Sequence, residues 1–290
     1  MRIGVVFPQT EIGPDAGAVQ TYGEHVEGLG FGHLLAYDHV VGADPNIHAG
    51  WEGPYDLHST FHEPLVTFGY LAAITTTLEL VTGIIILPQR QTVLVAKQAA
   101  EVDLLSGGRL RLGVGLGWNA VEYEALGEDF STRGRRCGEQ VELMRKLWTE
   151  PSVTFNGNYH RVTGAGLAPL PVQRPIPVWF GASSPRAYRR AGRLGDGWFP
   201  MVGPGPKLDR ARQQVMQAAT EAGRDPAQLG MQGQVSWNGS ADDLADGLRV
   251  WADAGATHVS INTMNAGLAS VDEHLAVLST AAEIASDFTD

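Results

Sequence analysis

The 290-residue chain is predicted to fold as a single (β/α)8 TIM barrel, and three observations predict it. Apolar runs of strand length alternate with amphipathic helical segments about eight times along the chain. Those runs show little polar alternation, the habit of parallel strands covered on both faces. No break in composition marks a domain boundary, so one barrel domain over 1–290 is expected, with a doubly wound open sheet as the alternative.

Arg2–Phe7 is the first strand, halted by Pro8, and Val19–Leu29 the first helix. Leu34–Tyr37 is the second strand, with Asp38-His39 directly after it. Residues 42–63 carry no period but hold Trp51, Tyr55 and Phe61, so an ordered lid is expected there. Leu65–Ile74 is helical. Val81–Leu87 is an apolar β-branched strand ended by Pro88. From Thr92, Val93, Ala96, Ala99, Ala100 and Leu104 recur at three- and four-residue steps, which predicts a helix stopped at Ser106-Gly107-Gly108. Arg109–Gly115 is the next strand, opening into a turn with Gly113, Gly115 and Gly117 and then a helix near Asn119.

Glu139–Trp148 is helical, and 151–176 reads as an excursion with a short hairpin between the fourth helix and the fifth strand. Val178–Phe180 is that strand, followed by a helix through Leu194. Gly197–Phe199, Met231–Trp237 and His258–Ile261 complete the strands. Leu208–Ala222, Asp242–Ala254 and Val271–Ala285 complete the helices.

Composition excludes several classes of function. The formal charge is −11 and only Lys97, Lys146 and Lys207 are lysines, so nucleic acid and anionic membranes are poor partners. Cys137 is the one cysteine, which rules out an internal disulfide and reads as structural. No signal-peptide core or membrane-length apolar run occurs, and a soluble cytoplasmic protein is the expectation.

In a barrel, the groups that follow strand ends share one mouth. They are Asp38-His39, Gly83, Gln89-Arg90, Gly115–Asn119, Gly181–Ser184, Trp198 and Trp237. Asp38 and His39 are the acid–base candidates, with a capping Asp and a loop His as the plain alternative. Gly83 within a strand marks either a ligand against the backbone or crowding by a neighbouring helix. Ser183-Ser184-Pro185 is a helix start whose free amides suit an anion, or an ordinary cap. His58 and His62 stand four apart beside Glu63, but no third ligand is evident and Pro64 follows, so no metal is expected and a lid or interface role is preferred. Arg133, Arg135 and Arg136 read as a solvated helix start or an oligomer contact.

As a set, LLAYDHV (34–40), ELVTGIIILPQRQTVLVAKQAAEVDLLSGGRLRLGVGLGWNAVEYEALG (79–127), VWFGASSP (178–185) and GDGWFP (195–200) are specific. Through them the chain resembles, over essentially its whole length, the bacterial luciferase-like superfamily of flavin- and deazaflavin-dependent oxidoreductases. The resemblance implies a bulge at Gly83-Ile84, with a cis peptide in members that use the deazaflavin coenzyme F420. It implies that Gly115 and Asn119 line the cofactor and that Gly181, Ala182, Ser183 and Ser184 form its phosphate loop. Asp38 and His39 match the pair at which alcohol- and sugar-phosphate-oxidising members place a proton-accepting histidine. The sugar-phosphate dehydrogenases carry an acidic residue three before the asparagine, where this chain has Leu116. With lysines scarce as well, Trp51, Trp198 and Trp237 point instead to an apolar or aromatic substrate.

The expected activity is hydride transfer between F420 and a small organic substrate, with His39 moving the proton and Asp38 orienting it. The main alternative is an FMN-dependent, two-component monooxygenase. A cofactor-holding protein without catalysis and a phosphate-using barrel isomerase stand behind these. A homodimer is expected, through the apolar faces near Leu65–Leu71 and Val93–Leu104.

Overall fold

The computed structural model describes residues 1–289. The chain opens with β1 (Arg2–Val6), α1 (Ala16–Gly28), β2 (His33–Ala36) and α2 (Pro64–Ile74). Next come β3 (Glu79–Thr82), β4 (Ile85–Ile86), α3 (Thr92–Leu105), β5 (Leu110–Gly115), α4 (Ala120–Ala125) and α5 (Arg133–Thr149). A hairpin of β6 (Val153–Asn156) and β7 (Arg161–Ala165) precedes β8 (Val178–Ala182) and α6 (Pro185–Leu194). The last third holds β9 (Gly197–Pro200), α7 (Pro206–Glu221), β10 (Gly230–Ser236), α8 (Ala241–Asp253), β11 (His258–Asn262) and α9 (Val271–Ala285).

The large sheet runs β3-β2-β1-β11-β10-β9-β8-β5-β4, and a β3–β5 pairing joins its ends. With β3 and β4 sharing one place, this is a closed parallel barrel of eight strand positions, as the alternation of segments predicts. Val5 sits opposite both Leu34 and Ile261, and Phe180 opposite both Val114 and Trp198. The antiparallel β6–β7 hairpin is the expected excursion, lying between α5 and β8.

Helix starts follow local chemistry. Asp15, Glu63, Asn119, Ser184, Ser240 and Ser270 each cap a helix by accepting an amide hydrogen from its first turn. Gly107 and Gly108, with φ of +70° and +88°, release the chain at the end of α3. Cys137 is fully buried, its thiol pushed up to about 11 by burial, which accords with a structural role.

The barrel interior is layered. At the strand starts, Arg111 bonds Glu79 at 2.9 Å and Gln232 at 2.6 Å and lies 4.3 Å over the Trp179 ring. His33 Nε2 and Gln232 Nε2 both meet the Ser260 hydroxyl, at 2.8 and 2.7 Å. Above this polar plug Val6, Leu35, Val81, Phe199 and Met264 form a small apolar cluster, with Tyr37 and Ile84 packed on it. The larger core lies between the barrel wall and the helices.

Three local expectations are corrected. The run Val81–Leu87 is not one strand: it breaks into β3 and β4 at Gly83–Ile84, whose peptide is cis. Helix α5 is longer than the expected Glu139–Trp148 and begins at Arg133, in keeping with the helix-start reading of Arg133, Arg135 and Arg136; there Arg133 stacks on Phe130 at 3.6 Å and Arg136 pairs with Glu128. In α3, Val93 is exposed and the buried face runs through Val95, Ala96, Ala99, Val102 and Asp103. Asp103 can be buried because it accepts two hydrogen bonds from Gln173, at 2.9 and 2.7 Å.

Candidate active site

The C-terminal mouth of the barrel holds a cavity of about 930 Å³. Leu35, Tyr55, Ile84, Trp118, Phe199 and Trp251 give it mainly apolar walls, and Gly83, Gly117 and Gly181 leave stretches of bare backbone. The Tyr37 hydroxyl, also in the wall, donates to Gln234 Oε1 at 2.9 Å. Gly83 is glycine because a Cβ there would fall 2.3 Å from Leu35 Cδ2. The crowding comes from inside the barrel, not from a helix.

Asp38 and His39 leave the end of β2 in different directions. Asp38 is buried; its Oδ2 accepts the Ile86 amide at 2.8 Å and its Oδ1 accepts Arg90 Nη2 at 2.7 Å. Burial raises the Asp38 pKa, with the Arg90 guanidinium and the Ile86 amide acting against it. Arg90 is anchored on its other arm by Glu63, at 2.8 Å. Asp38 therefore fixes β4 in the cavity wall and does not orient His39, correcting that expectation. Adjacent residues leaving a strand end point to opposite sides of the chain.

The group that holds His39 is Glu122. Its Oε1 lies 2.9 Å from His39 Nδ1 and also accepts the amide of Val40. Burial acts to raise the Glu122 pKa, but the His39 and Val40 hydrogen bonds outweigh it and hold the carboxyl below its ordinary range. His39 Nε2 is buried with no partner among the described residues. The His39 ring lies one layer behind the cavity surface, 5.7 Å from Tyr55 and 6.0 Å from Trp118, both wall residues. Phe61 closes its far side at 5.1 Å. The irregular segment 42–63 thus acts as a packed aromatic cover, with Trp51 on Trp118 at 5.6 Å.

Glu122 is the residue that the sequence reading missed. Asn119 and Glu122 have the spacing of a capping box. Asn119 Oδ1 does cap α4, accepting the Val121 and Glu122 amides at 3.0 and 3.3 Å. The Glu122 side chain, however, crosses to His39 instead of returning to its own helix end. Asn119 Nδ2 remains buried without a partner among the described residues.

The remaining expected positions gather at the same mouth. Gly115 ends β5, where a Cβ would fall 2.6 Å from Ile84 Cδ1. Gly181 lines the cavity and Ala182 ends β8. Ser183 is exposed, and Ser184 caps α6 through the Ala187 amide at 3.4 Å. The tryptophans are reassigned. Trp198 is buried against Tyr188 behind the barrel wall, and Trp237 packs on the core, while Trp118 and Trp251 face the cavity. Glu63 caps α2, His62 packs on Phe7 at 5.8 Å, and no group of three or more His, Cys, Asp or Glu among the described residues could hold a metal ion. None of the described helices is long and apolar enough to cross a membrane.

Comparison with known proteins agrees with this architecture. The family model described as luciferase-like monooxygenase matches residues 1–283. An uncharacterised protein of Mycobacterium tuberculosis is 35% identical over 202 residues, which is 69% of this chain and 67% of the relative. The F420-dependent glucose-6-phosphate dehydrogenase of Nocardia farcinica is 32% identical over 212 residues, 69% of this chain and 62% of that enzyme. Two solved structures share the fold across the whole chain. An F420-dependent secondary alcohol dehydrogenase in complex with an F420-acetone adduct has a TM-score of 0.81 at 18% identity, covering 100% of this chain and 99% of that one. The monooxygenase RslO1 from Streptomyces bottropensis has a TM-score of 0.79 at 20% identity, covering 99% of each chain. With the family model spanning residues 1–283, the chain belongs to the luciferase-like monooxygenase family and is an enzyme of the oxidoreductase class.

Proposed function

We propose that this enzyme is an F420-dependent oxidoreductase that moves a hydride between the deazaflavin and a small apolar or aromatic organic substrate, with His39 handling the proton. The observation that carries the reading is the Glu122–His39 pair, which leaves an unpartnered imidazole nitrogen behind the wall of an apolar cavity. The F420-dependent relative at 32% identity supports the choice of cofactor.

The residues present fit such a cofactor. A planar ring system needs a flat apolar slot, and Gly83, Ile84, Gly117 and Gly181 offer backbone on which it can lie. The Asn119 amide is a buried donor still lacking an acceptor. Among the described residues, the start of α6 leaves the Arg186 amide free beside the Ser183 and Ser184 hydroxyls, donors that suit a phosphate. Bound there, the coenzyme supplies the hydride-carrying centre. Glu122 accepts the Nδ1 proton and so leaves the lone pair on His39 Nε2, which reaches a substrate oxygen once the Tyr55 and Trp118 rings in front of it move aside on binding. His39 takes the hydroxyl proton on oxidation and returns it on reduction. The aromatic cover of Tyr55, Phe61 and Trp118 keeps bulk water from that proton.

Titration with F420 and FMN in parallel, followed by tryptophan fluorescence, tests the reading. Tight F420 binding with weak FMN binding is expected. The reverse result, with turnover by oxygen, would select the FMN-dependent monooxygenase that the family description favours. A homodimer in the cytoplasm belongs to the same reading, with exposed Val66, Tyr70, Val93 and Leu94 on α2 and α3 as its apolar face. Light scattering at twice the chain mass is the expected outcome.

A further inference from the structure

A second cavity, of about 600 Å³, opens between the start of α5 and the outer face of α6. Five arginines line it: Arg135, Arg186, Arg189, Arg190 and Arg193. The other lining residues are Ser131, Gly134, Gly138 and Leu194, so no carboxylate faces the space. This concentration of positive charge stands against a formal chain charge of −11.

Six of the arginines outside the cleft are matched by acids. Arg90, Arg111, Arg136, Arg145, Arg224 and Arg249 each lie within ion-pair distance of Asp or Glu. Among the described residues none of the five does. Arg190 donates to the Gly134 carbonyl at 2.7 Å and Arg135 to the Tyr159 hydroxyl at 3.1 Å, both neutral partners. Exposed Arg186, Arg189 and Arg193 show no side-chain partner among the described residues. Solvated arginines on a random face would be interleaved with acids in a chain this acidic, since like charges held together repel.

The position gives the charge a meaning. Arg186, Arg189, Arg190 and Arg193 follow the three- and four-residue helical steps, opposite the buried Ala187, Tyr188, Ala191 and Gly192. The stripe runs about 10 Å along α6, starting two residues after Ser184. Its near end is therefore the helix start proposed to hold the cofactor phosphate. The two cavities also share a boundary. Gly134, in the cleft wall, lies against Leu116, with 3.7 Å from its would-be Cβ to Leu116 Cδ1, and Leu116 adjoins Gly117 in the main cavity wall.

We propose that this cleft seats the anionic extension of the cofactor beyond its phosphate, namely the oligoglutamyl chain of F420. The inference rests on the F420 reading and deepens it. Successive carboxylates leaving the phosphate at the α6 start meet Arg186 first, then Arg189 and Arg190 with Arg135 opposite, and Arg193 last. FMN, which ends at its phosphate, leaves the stripe unused. Duplex nucleic acid fits less well, because the chain carries a net negative charge outside this cleft.

The test compares dissociation constants, by fluorescence, for three ligands: the deazaflavin core without phosphate or tail, F420 with one glutamate, and F420 with five or more. Wild type is set against the triple variant Arg186→Ala, Arg189→Ala, Arg193→Ala, with circular dichroism as the control for folding. Wild type is expected to bind the long-tailed form about tenfold more tightly than the one-glutamate form, with an advantage that shrinks as salt rises. The triple variant should lose that advantage and bind the bare core as wild type does. Equal affinity for both tail lengths in wild type would overturn the inference and leave the F420 reading standing, as would an unchanged preference in the triple variant. Competition by a short DNA duplex, with no effect of tail length, would assign the cleft to another polyanion. Failure of even the bare deazaflavin to bind, while FMN binds, would remove the F420 reading itself and the tail with it.

Discussion

Glu122 Oε1 stands 2.9 Å from His39 Nδ1, and the two residues come from different barrel units, 83 positions apart. A carboxylate in that place decides which imidazole nitrogen carries the proton. Glu122→Gln keeps an acceptor oxygen for Nδ1–H and the Val40 amide but removes the negative charge that stabilises the imidazole once it has taken a proton. The expected result is a fall in kcat of about 100-fold, with coenzyme affinity kept within about twofold. His39→Ala should lose turnover to a similar or greater extent and retain the coenzyme. A Glu122→Gln enzyme with wild-type kcat and an unaltered pH profile would remove Glu122 from the mechanism.

Asp38 has a structural prediction instead. Its carboxylate joins β4, through the Ile86 amide, to Arg90 and thence to Glu63. Asp38→Asn leaves a nearly buried guanidinium short of one partner, and breaking a buried pair in this way costs about 3 kcal/mol. Urea unfolding should show that loss. Arg90→Met should cost a comparable amount, and the double variant much less than the sum, because the two changes remove one interaction. Additive losses would mean that the pair does not act as a unit.

The barrel was legible because its cues are local: strand-length apolar runs, glycine helix stops and the hydroxyl cap at Ser184. The gathering of Asp38, Gly83, Gly117 and Gly181 about one cavity followed from the closure of the barrel. What was not legible depended on contacts across the chain. Glu122 went unread because nothing near it in sequence ties it to His39; only the fold sets the end of β2 beside α4. Trp198 occupies the strand that was read for it but turns outward to Tyr188, because side-chain direction depends on strand register and not on residue type. Val93 obeyed the helical period yet faces solvent, while the buried face takes in Asp103, which Gln173 from a distant loop satisfies.

Two glycines separate folding from binding. A Cβ on Gly113 would sit 1.9 Å from the Thr82 carbonyl oxygen, which is backbone and cannot rotate away. A Cβ on Gly181 would meet Ile84 side-chain atoms at 3.5 Å and the Val114 carbonyl oxygen at 3.9 Å, both ordinary contact, and would project at the cavity wall. Gly113→Ala should therefore destabilise the barrel by about 1–3 kcal/mol or prevent its folding. Gly181→Ala should keep the wild-type melting temperature and weaken the coenzyme by about tenfold or more. Wild-type coenzyme affinity in Gly181→Ala would show that the ring lies elsewhere in the cavity.

Acid should unfold this protein through histidines at the opposite end of the barrel from the site. His33 is buried at the strand starts, and burial followed by the nearby Arg111 charge pushes its pKa well below the ordinary value. His258, 6.0 Å away, is lowered to about 3, by burial first and then by Arg111 and Arg2. Both imidazoles must stay neutral in the folded state, whereas in the unfolded chain each takes a proton below about pH 6.5. The unfolded state then binds more protons, so stability present above that pH is lost as pH falls toward 3, at up to about 1.4 kcal/mol per pH unit for each group. Urea midpoints measured between pH 7.5 and 4.5 should decline on this slope, before the bulk of the carboxylates titrate. His258→Gln, which keeps a polar group beside Thr257, should flatten the decline by about one proton's worth. A midpoint constant across that range in wild type would mean that the lower plug admits water and tolerates the charged imidazoles.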